Sequence, residues 1–422
     1  MTQRERPYRI VISGGYGNGN AGDEALLLVM LDQLREALGG RCEFLIFSDD
    51  VSYSRQRSSE RFVYSGGRGI FEEGKRGWAR LSWFWANTRA IAGCDLFITG
   101  GGTILQDSTN PWFVPFWLAK IFLAQLLRKQ TMMYGIGVGP MRTRFARRLC
   151  RLIVNRMNLV TLRGETSFEV LTGLGITRPQ IYVAADPALA LVPAPPERAA
   201  EILKCEGVPT DRPFVAFAIR QWYITHAKSL RGRAVWTEEN RERYEALTAG
   251  WAEVADRIIT EHGLAVVFIP MSIVGSKDDR QAAADVVAKM KQGDRAYIVQ
   301  GDYSPAETKA LIGQSRLLVA MRLHSAIFGV PLGTPTVAVA YGDKMRDFMR
   351  EVGRERRVVE VDEVGGGNLL RLVEEALRSP EQATAAPETI SAVTEQANRI
   401  SVLAAQLLTG ADRGREQRGR SG

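Results

Sequence analysis

The sequence predicts an α/β protein built from two halves, each a parallel sheet flanked by helices, facing a shared cleft. Three observations lead there. Apolar runs of strand length alternate with segments of helical period along most of the chain, which is the pattern of βαβ units. At 422 residues the chain exceeds one ordinary core. A proline-rich stretch (Pro187, Pro193, Pro195, Pro196, Pro209, Pro213) interrupts the alternation and reads as a linker.

The elements follow in order. Tyr8 to Ser13 reads as the first strand and Glu24 to Leu38 as the first helix. Strands are expected at Cys42–Ser48, Leu96–Thr99, Thr131–Gly135, Leu159–Arg163 and Ile181–Ala184. Helices are expected at Ile121–Arg128, Phe145–Met157 and Ser167–Thr172. This gives a first domain over residues 1–190, a linker at 191–212 and a second domain over 213–380. The second domain has strands at Phe214–Ile219, Leu264–Pro270, Leu317–Ala320 and Thr336–Ala340. Its helices lie near Trp251–His262 and Asp278–Met290. Thr389 to Leu408 is a final helix. The Gly/Arg-rich tail at 410–422 has no apolar content and is expected to be disordered.

Composition narrows the class. The chain is 45% hydrophobic and 24% charged, as a globular protein is. A net charge of +8 favours anionic ligands or an anionic surface. No RNA- or DNA-binding motif accompanies it, so nucleic acid is not an expected partner. The densest basic segment, Arg142 to Arg156, is either a solvated helix face or a patch for anionic lipid or polymer. Trp78, Trp83, Phe84 and Trp85 suit either core packing or a membrane interface. Pro111 to Leu127 is short and holds Lys120 and two prolines, so it reads as a buried helix rather than a span. Cys42, Cys94, Cys150 and Cys205 lack metal or redox spacing, and free thiols in a reducing compartment are expected. The first residues lack the apolar core of a signal peptide, so the expected location is cytoplasmic.

Chemistry concentrates at strand ends, where open parallel sheets bind ligands. Arg322 and His324 follow the strand at Leu317–Ala320. They supply a fixed cation and a group that exchanges protons near neutral pH. Arg163, Arg220 and Lys344 also follow strands, so four basic groups describe a site for an anion. Asp186 ends another strand, either to cap a turn or to orient an arginine. Three glycine clusters, at 14–22, 100–102 and 135–139, read as loops lining one crevice. Gly17 to Gly22 matches the dinucleotide pattern G-x-G-x-x-G, but Asp23 and Glu24 fill the helix start where a pyrophosphate would sit. No nicotinamide cofactor is expected. The first loop instead offers Asn18, Asn20 or Asp23 to ligand hydroxyls, and Gly101 and Gly102 line the second.

Five motifs occur in order: Gly-Tyr-Gly-Asn-Gly-Asn-Ala-Gly-Asp-Glu at 15–24, Gly-Gly-Gly-Thr-Ile-Leu-Gln-Asp at 100–107, Tyr-Gly-Ile-Gly-Val-Gly-Pro at 134–140, Ala-Asp-Pro-Ala at 185–188 and Met-Arg-Leu-His-Ser-Ala at 321–326. Together they resemble the polysaccharide pyruvyl transferases, most of all the bacterial cell-wall type often called CsaB. The resemblance implies a GT-B-like fold of two Rossmann-like domains, with a C-terminal helix at 381–409 returning toward the first. It implies phosphoenolpyruvate as donor, a saccharide acceptor, lipid-linked and met at the inner membrane face, and a pyruvate ketal as product, with no metal or organic cofactor. It also implies that His324 and Arg322 are catalytic and that Arg163 and Arg220 bind substrate. Where the family often has an acid after the arginine, this chain has Gly164. His324 is open to either role, acid toward the donor or base toward the acceptor. Two other functions compete: a nucleotide-sugar glycosyltransferase on the same fold, and a non-catalytic saccharide-binding protein of the envelope.

Overall fold

The computed structural model describes residues 6–65, 77–107, 111–209, 211–223, 225–226, 234–274 and 278–419. The chain forms two compact units. Residues 1–18, 26–190 and 394–422 make the first, and residues 19–25 and 191–393 make the second.

In the first unit β1 (Tyr8–Tyr16), α1 (Ala21–Ala37, of which residues 26–37 belong here), β2 (Cys42–Ser48), α2 (Val51–Arg57), β3 (Arg61–Tyr64) and α3 (Gly77–Ala92) come first. Then follow β4 (Leu96–Gly100), β5 (Thr103–Leu105), α4 (Phe113–Leu126), β6 (Gln130–Val138), α5 (Arg144–Val154), β7 (Leu159–Arg163), α6 (Glu165–Gly173) and β8 (Gln180–Ala184). The sheet order is β3-β2-β1-β4-β6-β7-β8, parallel throughout, with β5 pairing with β6. Continuous apolar runs such as Leu96-Phe97-Ile98 form central strands because helices cover both sheet faces. Strand order reverses between β1 and β4, which places the first two glycine clusters at that reversal.

The second unit holds α7 (Pro196–Cys205), β9 (Phe214–Ala218), β10 (Thr225–His226), β11 (Ala234–Val235), α8 (Glu238–His262), β12 (Ala265–Phe268) and α9 (Asp279–Val287). It continues with β13 (Ala296–Ile298), α10 (Pro305–Gly313), β14 (Leu317–Ala320), α11 (Leu323–Gly329), β15 (Thr336–Ala340), α12 (Asp343–Glu351), β16 (Val358–Glu360) and α13 (Asn368–Arg378). Its parallel sheet runs β13-β12-β9-β14-β15-β16 and reverses between β9 and β14. Trp251 fills the core beside Phe217, with ring centroids 5.6 Å apart. The last helix, α14 (Pro387–Gly419), sends Ile400, Ala404 and Leu408 into the core of the first unit beside Tyr16 and Met30.

Three expectations need correction. The third glycine cluster is a strand rather than a loop: β6 runs on to Val138 through a register shift between Met133 and Ile136. Gly135 permits this, since it has φ +56° and a Cβ there would lie 2.7 Å from Pro187. The expected linker carries α7, which packs on α10 as part of the second unit. The tail expected to be disordered is helical as far as Gly419. Of the insertion at 223–240, residues 224 and 227–233 lie outside the described residues; within the rest, β10 and β11 pair antiparallel.

One polar group sits deep in the first unit. Lys120 is 5% exposed, donates to Ser65 Oγ at 2.8 Å and lies over the rings of Phe47, Phe116 and Trp117. Burial pushes its ammonium down to about 7, opposed by the charge of Asp49. The unfolded chain, with an ordinary lysine near 10.4, then binds more protons than the folded one between pH 7 and 10. This group therefore makes stability rise with pH across that window, by at most about 1.4 kcal/mol per pH unit. Lys120→Met should remove that slope in urea titrations at pH 7, 8 and 9. An unchanged slope would show that the ammonium stays charged.

Candidate functional site

In the second unit the chemistry gathers where strand order reverses. Arg220 lies two residues beyond β9, Met321 and Arg322 directly follow β14, and His324 is in the first turn of α11. The backbone amides of Met321 and Arg322 both donate to Ala218 O, at 2.9 and 3.1 Å, so the two strand ends are tied together. Arg322 turns its guanidinium onto Asp279 at the start of α9. Nε lies 3.1 and 2.9 Å from the two carboxylate oxygens, and Nη2 makes a further short contact. Both side chains are buried, the carboxylate almost completely. Burial alone would lower Arg322, but the charge of Asp279 outweighs it and holds the guanidinium above its ordinary range. Burial pushes the Asp279 carboxyl up, opposed by Arg322.

That ion pair organises a further segment. Asp279 accepts from the amides of Met271 and Ser272 at 3.1 and 3.0 Å. This short stretch binds the first glycine loop: Ala21 N donates to Met271 O at 2.9 Å, Ile273 N donates to Gly19 O at 3.1 Å, and Asn20 bridges to Ser272. The side chain of Asn20 accepts from Gly22 N at 3.0 Å and shapes the turn into α1. Gly22 then lies directly on His324. A Cβ at Gly22 would stand 2.0 Å from Nδ1 and 2.2 Å from Cγ of the imidazole. Asp23 is half-buried and raises Arg322 through its charge.

Arg220 takes different neighbours. It lies 5.3 Å from the ring centre of Tyr341 and 5.6 Å from that of Trp222, rings that stack at 4.4 Å, and Nη1 reaches Tyr341 Oη at 3.4 Å. Lys344 is exposed in the first turn of α12. A polar depression of about 440 Å³ opens beside Gln221, Asp278, Arg280 and Gln300.

The first unit repeats the strand-end ion pair. Arg163 closes β7, makes a short contact with Asp186 beyond β8, and donates to Thr103 Oγ1 at 3.2 Å. Asp186 also accepts from Ala188 N at 3.0 Å, so it both caps the turn and orients the arginine. Gly101 and Gly102 take φ +82° and +67° in the tight turn between β4 and β5. Asn18 donates to Gly15 O at 3.2 Å and to Asp49 at 3.1 Å. Asp107, the last residue of its motif, accepts from the amides of Arg142 and Thr143 and from the Thr143 hydroxyl at 2.6 to 2.8 Å. Burial would raise its carboxyl, and these donors outweigh that and hold it below the usual range.

Of the four basic groups expected to describe an anion site, Arg163 and Arg322 each meet a buried aspartate. Sequence reasoning missed Asp279 because it opens a helix far from the motifs. It also missed the contact between Gly22 and His324, since 302 positions separate them. Among the described residues no three His, Cys, Asp or Glu side chains gather as a metal site.

Two parallel-sheet units of this topology define a GT-B type fold, and solved structures share it. A UDP-GlcNAc 2-epimerase from Methanocaldococcus jannaschii matches with a TM-score of 0.58 at 14% identity, over 92% of this chain and 98% of that one. A sucrose-phosphate synthase from Thermosynechococcus elongatus matches with a TM-score of 0.59 at 15% identity, over 96% and 100%. The polysaccharide pyruvyl transferase family model matches residues 20–343, and the chain belongs to that family. The amylovoran biosynthesis protein AmsJ of Erwinia amylovora is 22% identical over 400 residues, 87% of this chain and 92% of that protein. The chain is therefore a transferase of the pyruvyl type in polysaccharide biosynthesis.

Two substitutions test this network. Alanine normally favours a helix over glycine by about 1 kcal/mol. Gly22→Ala should instead destabilise by about 1–3 kcal/mol, because the new methyl overlaps the imidazole; a raised melting temperature would remove that contact from the account. Asp279→Ala leaves a buried guanidinium without its carboxylate and should cost about 3–5 kcal/mol in denaturant titration. A loss below about 1 kcal/mol would place the pair in the weak class of exposed salt bridges.

Proposed function

We propose that the protein transfers the pyruvyl group of phosphoenolpyruvate to two hydroxyls of one sugar, forming a ketal and releasing phosphate. The observation that carries this reading is that Arg220, Arg322 and His324 all follow β9 and β14, the two strands between which the order of the second sheet reverses. The acceptor in this reading is a cell-envelope saccharide, lipid-linked and met at the cytoplasmic face of the membrane.

The donor carries a carboxylate and a phosphate. Arg220 and Lys344 supply charge for these groups, with the planar fork of Arg220 suited to a bidentate contact. Arg163, held by Asp186, offers oriented N–H groups rather than net charge. Asn18, Asn20, Asp23 and the glycine turns at Gly101 and Gly102 act on the sugar hydroxyls or on the path of the backbone around them. Arg322, whose charge Asp279 meets, acts as a positioning residue for the loop that lies on His324.

His324 in its protonated form gives a proton to the methylene carbon of the enol. Positive charge develops at C2, and one sugar hydroxyl forms a C–O bond there and loses its proton. Loss of phosphate from C2 and attack by a second hydroxyl complete the ketal. One hydroxyl proton balances that delivered to the methylene carbon, and the other leaves on phosphate. The reaction is acid–base chemistry with phosphoenolpyruvate as co-substrate. It calls on no metal or organic cofactor.

His324→Ala should lower phosphate release from phosphoenolpyruvate, with a lipid-linked or synthetic amino sugar bearing free 4- and 6-hydroxyls, by about 10²–10⁴-fold. Phosphoenolpyruvate should still raise the melting temperature of that variant. Full turnover would remove His324 from the chemistry. Stabilisation by UDP- or GDP-sugars in place of phosphoenolpyruvate would replace pyruvyl transfer with glycosyl transfer.

A further inference from the structure

We propose that the outer surface of the α3–α4–α5 layer in the first unit docks on an anionic lipid bilayer. The three helices lie side by side, with α4 packed against both neighbours. Their inner sides fill the core: Val114, Trp117 and Ile121 from α4, and Ala146, Cys150 and Ile153 from α5, are buried. Their outer sides carry large apolar groups that the core does not use. Phe84 and Trp85 on α3, Phe122 and Leu126 on α4, and Phe145 and Leu152 on α5 are all exposed, between 42% and 68%. One exposed apolar side chain is ordinary; six on three adjacent helices form a patch that marks an interaction surface. The spacing is helical, with i, i+4 for the pair on α4 and i, i+7 on α5, where half-buried Leu149 lies between.

Charge identifies the occupant. None of the three helices contains an Asp or Glu. Residues 108–164 hold ten Lys and Arg and no acid, where the chain average predicts about six acids. Arg144, Arg148 and Arg151 are exposed on α5 and flank Phe145 and Leu152. A soluble polyanion would use these guanidinium groups but leave the aromatic and aliphatic groups in water. A bilayer with anionic headgroups takes both: apolar side chains enter the acyl boundary while arginines snorkel to phosphates. None of the helices among the described residues is long and apolar enough to cross a membrane, so the contact lies in the interface plane.

The test is sedimentation of the full chain with vesicles of phosphatidylcholine alone or mixed with phosphatidylglycerol. Binding should require phosphatidylglycerol and weaken with salt. Phe145→Ser/Leu152→Ser and, separately, Arg148→Gln/Arg151→Gln should each lower vesicle affinity about tenfold or more. Both sets change exposed positions and should leave the melting temperature unchanged. The arginine pair also serves should the apolar pair fail to fold. Binding is read without turnover, so the result is independent of pyruvyl transfer. Wild-type affinity in both variants overturns the proposal. So does binding to dextran sulfate with no binding to vesicles, which would assign the face to a soluble polyanion.

Discussion

The second unit is organised around the buried pair of Arg322 and Asp279. A carboxylate this deep persists only when its acceptor sites are met, and here a guanidinium and two backbone amides meet them. The pair joins three stretches distant in sequence: the end of β14, the start of α9 and the turn at Met271–Ser272. Through that turn it also holds the glycine loop at 19–22. The position of His324 follows, because the imidazole lies against the backbone of that loop at Gly22. The charge of Arg322 is met inside the protein by Asp279.

The same device in the first unit, Arg163 with Asp186, shows a consistent use of strand-end arginines. Each guanidinium is fixed by an aspartate that also accepts from backbone amides. A charge fixed in this way binds its own carboxylate and aims its remaining edge. Arg220 differs, with the rings of Trp222 and Tyr341 as neighbours.

Parts of the family motifs serve the scaffold. His324, in the last motif, lies just past β14 at the strand reversal of the second sheet. Asp107 ends a motif yet works on the backbone, holding the turn at Arg142–Thr143 from which α5 departs. The glycines at 135 and 137 let β6 run on: a Cβ at Gly137 would lie 2.7 Å from Thr103 Oγ1 and 3.1 Å from Arg163 Nε.

The alternation of apolar runs by itself determined two parallel sheets and the strand ends that carry Arg163, Arg220, Arg322 and His324. Strand periodicity and turn residues are local properties, and most strands begin within a residue or two of where the pattern places them. Other features required tertiary structure. The cluster at 135–139 reads locally as a loop, but pairing with β5 and β7 makes it strand. The prolines at 193–196 read as linker, but α7 packs on α10. Asp279 carries no local mark of its partner, and nothing near Gly22 signals an imidazole 302 positions away. Spacing along a chain encodes how a segment folds; which charge is cancelled, and which glycine must stay bare, is decided only when distant segments come within bonding distance.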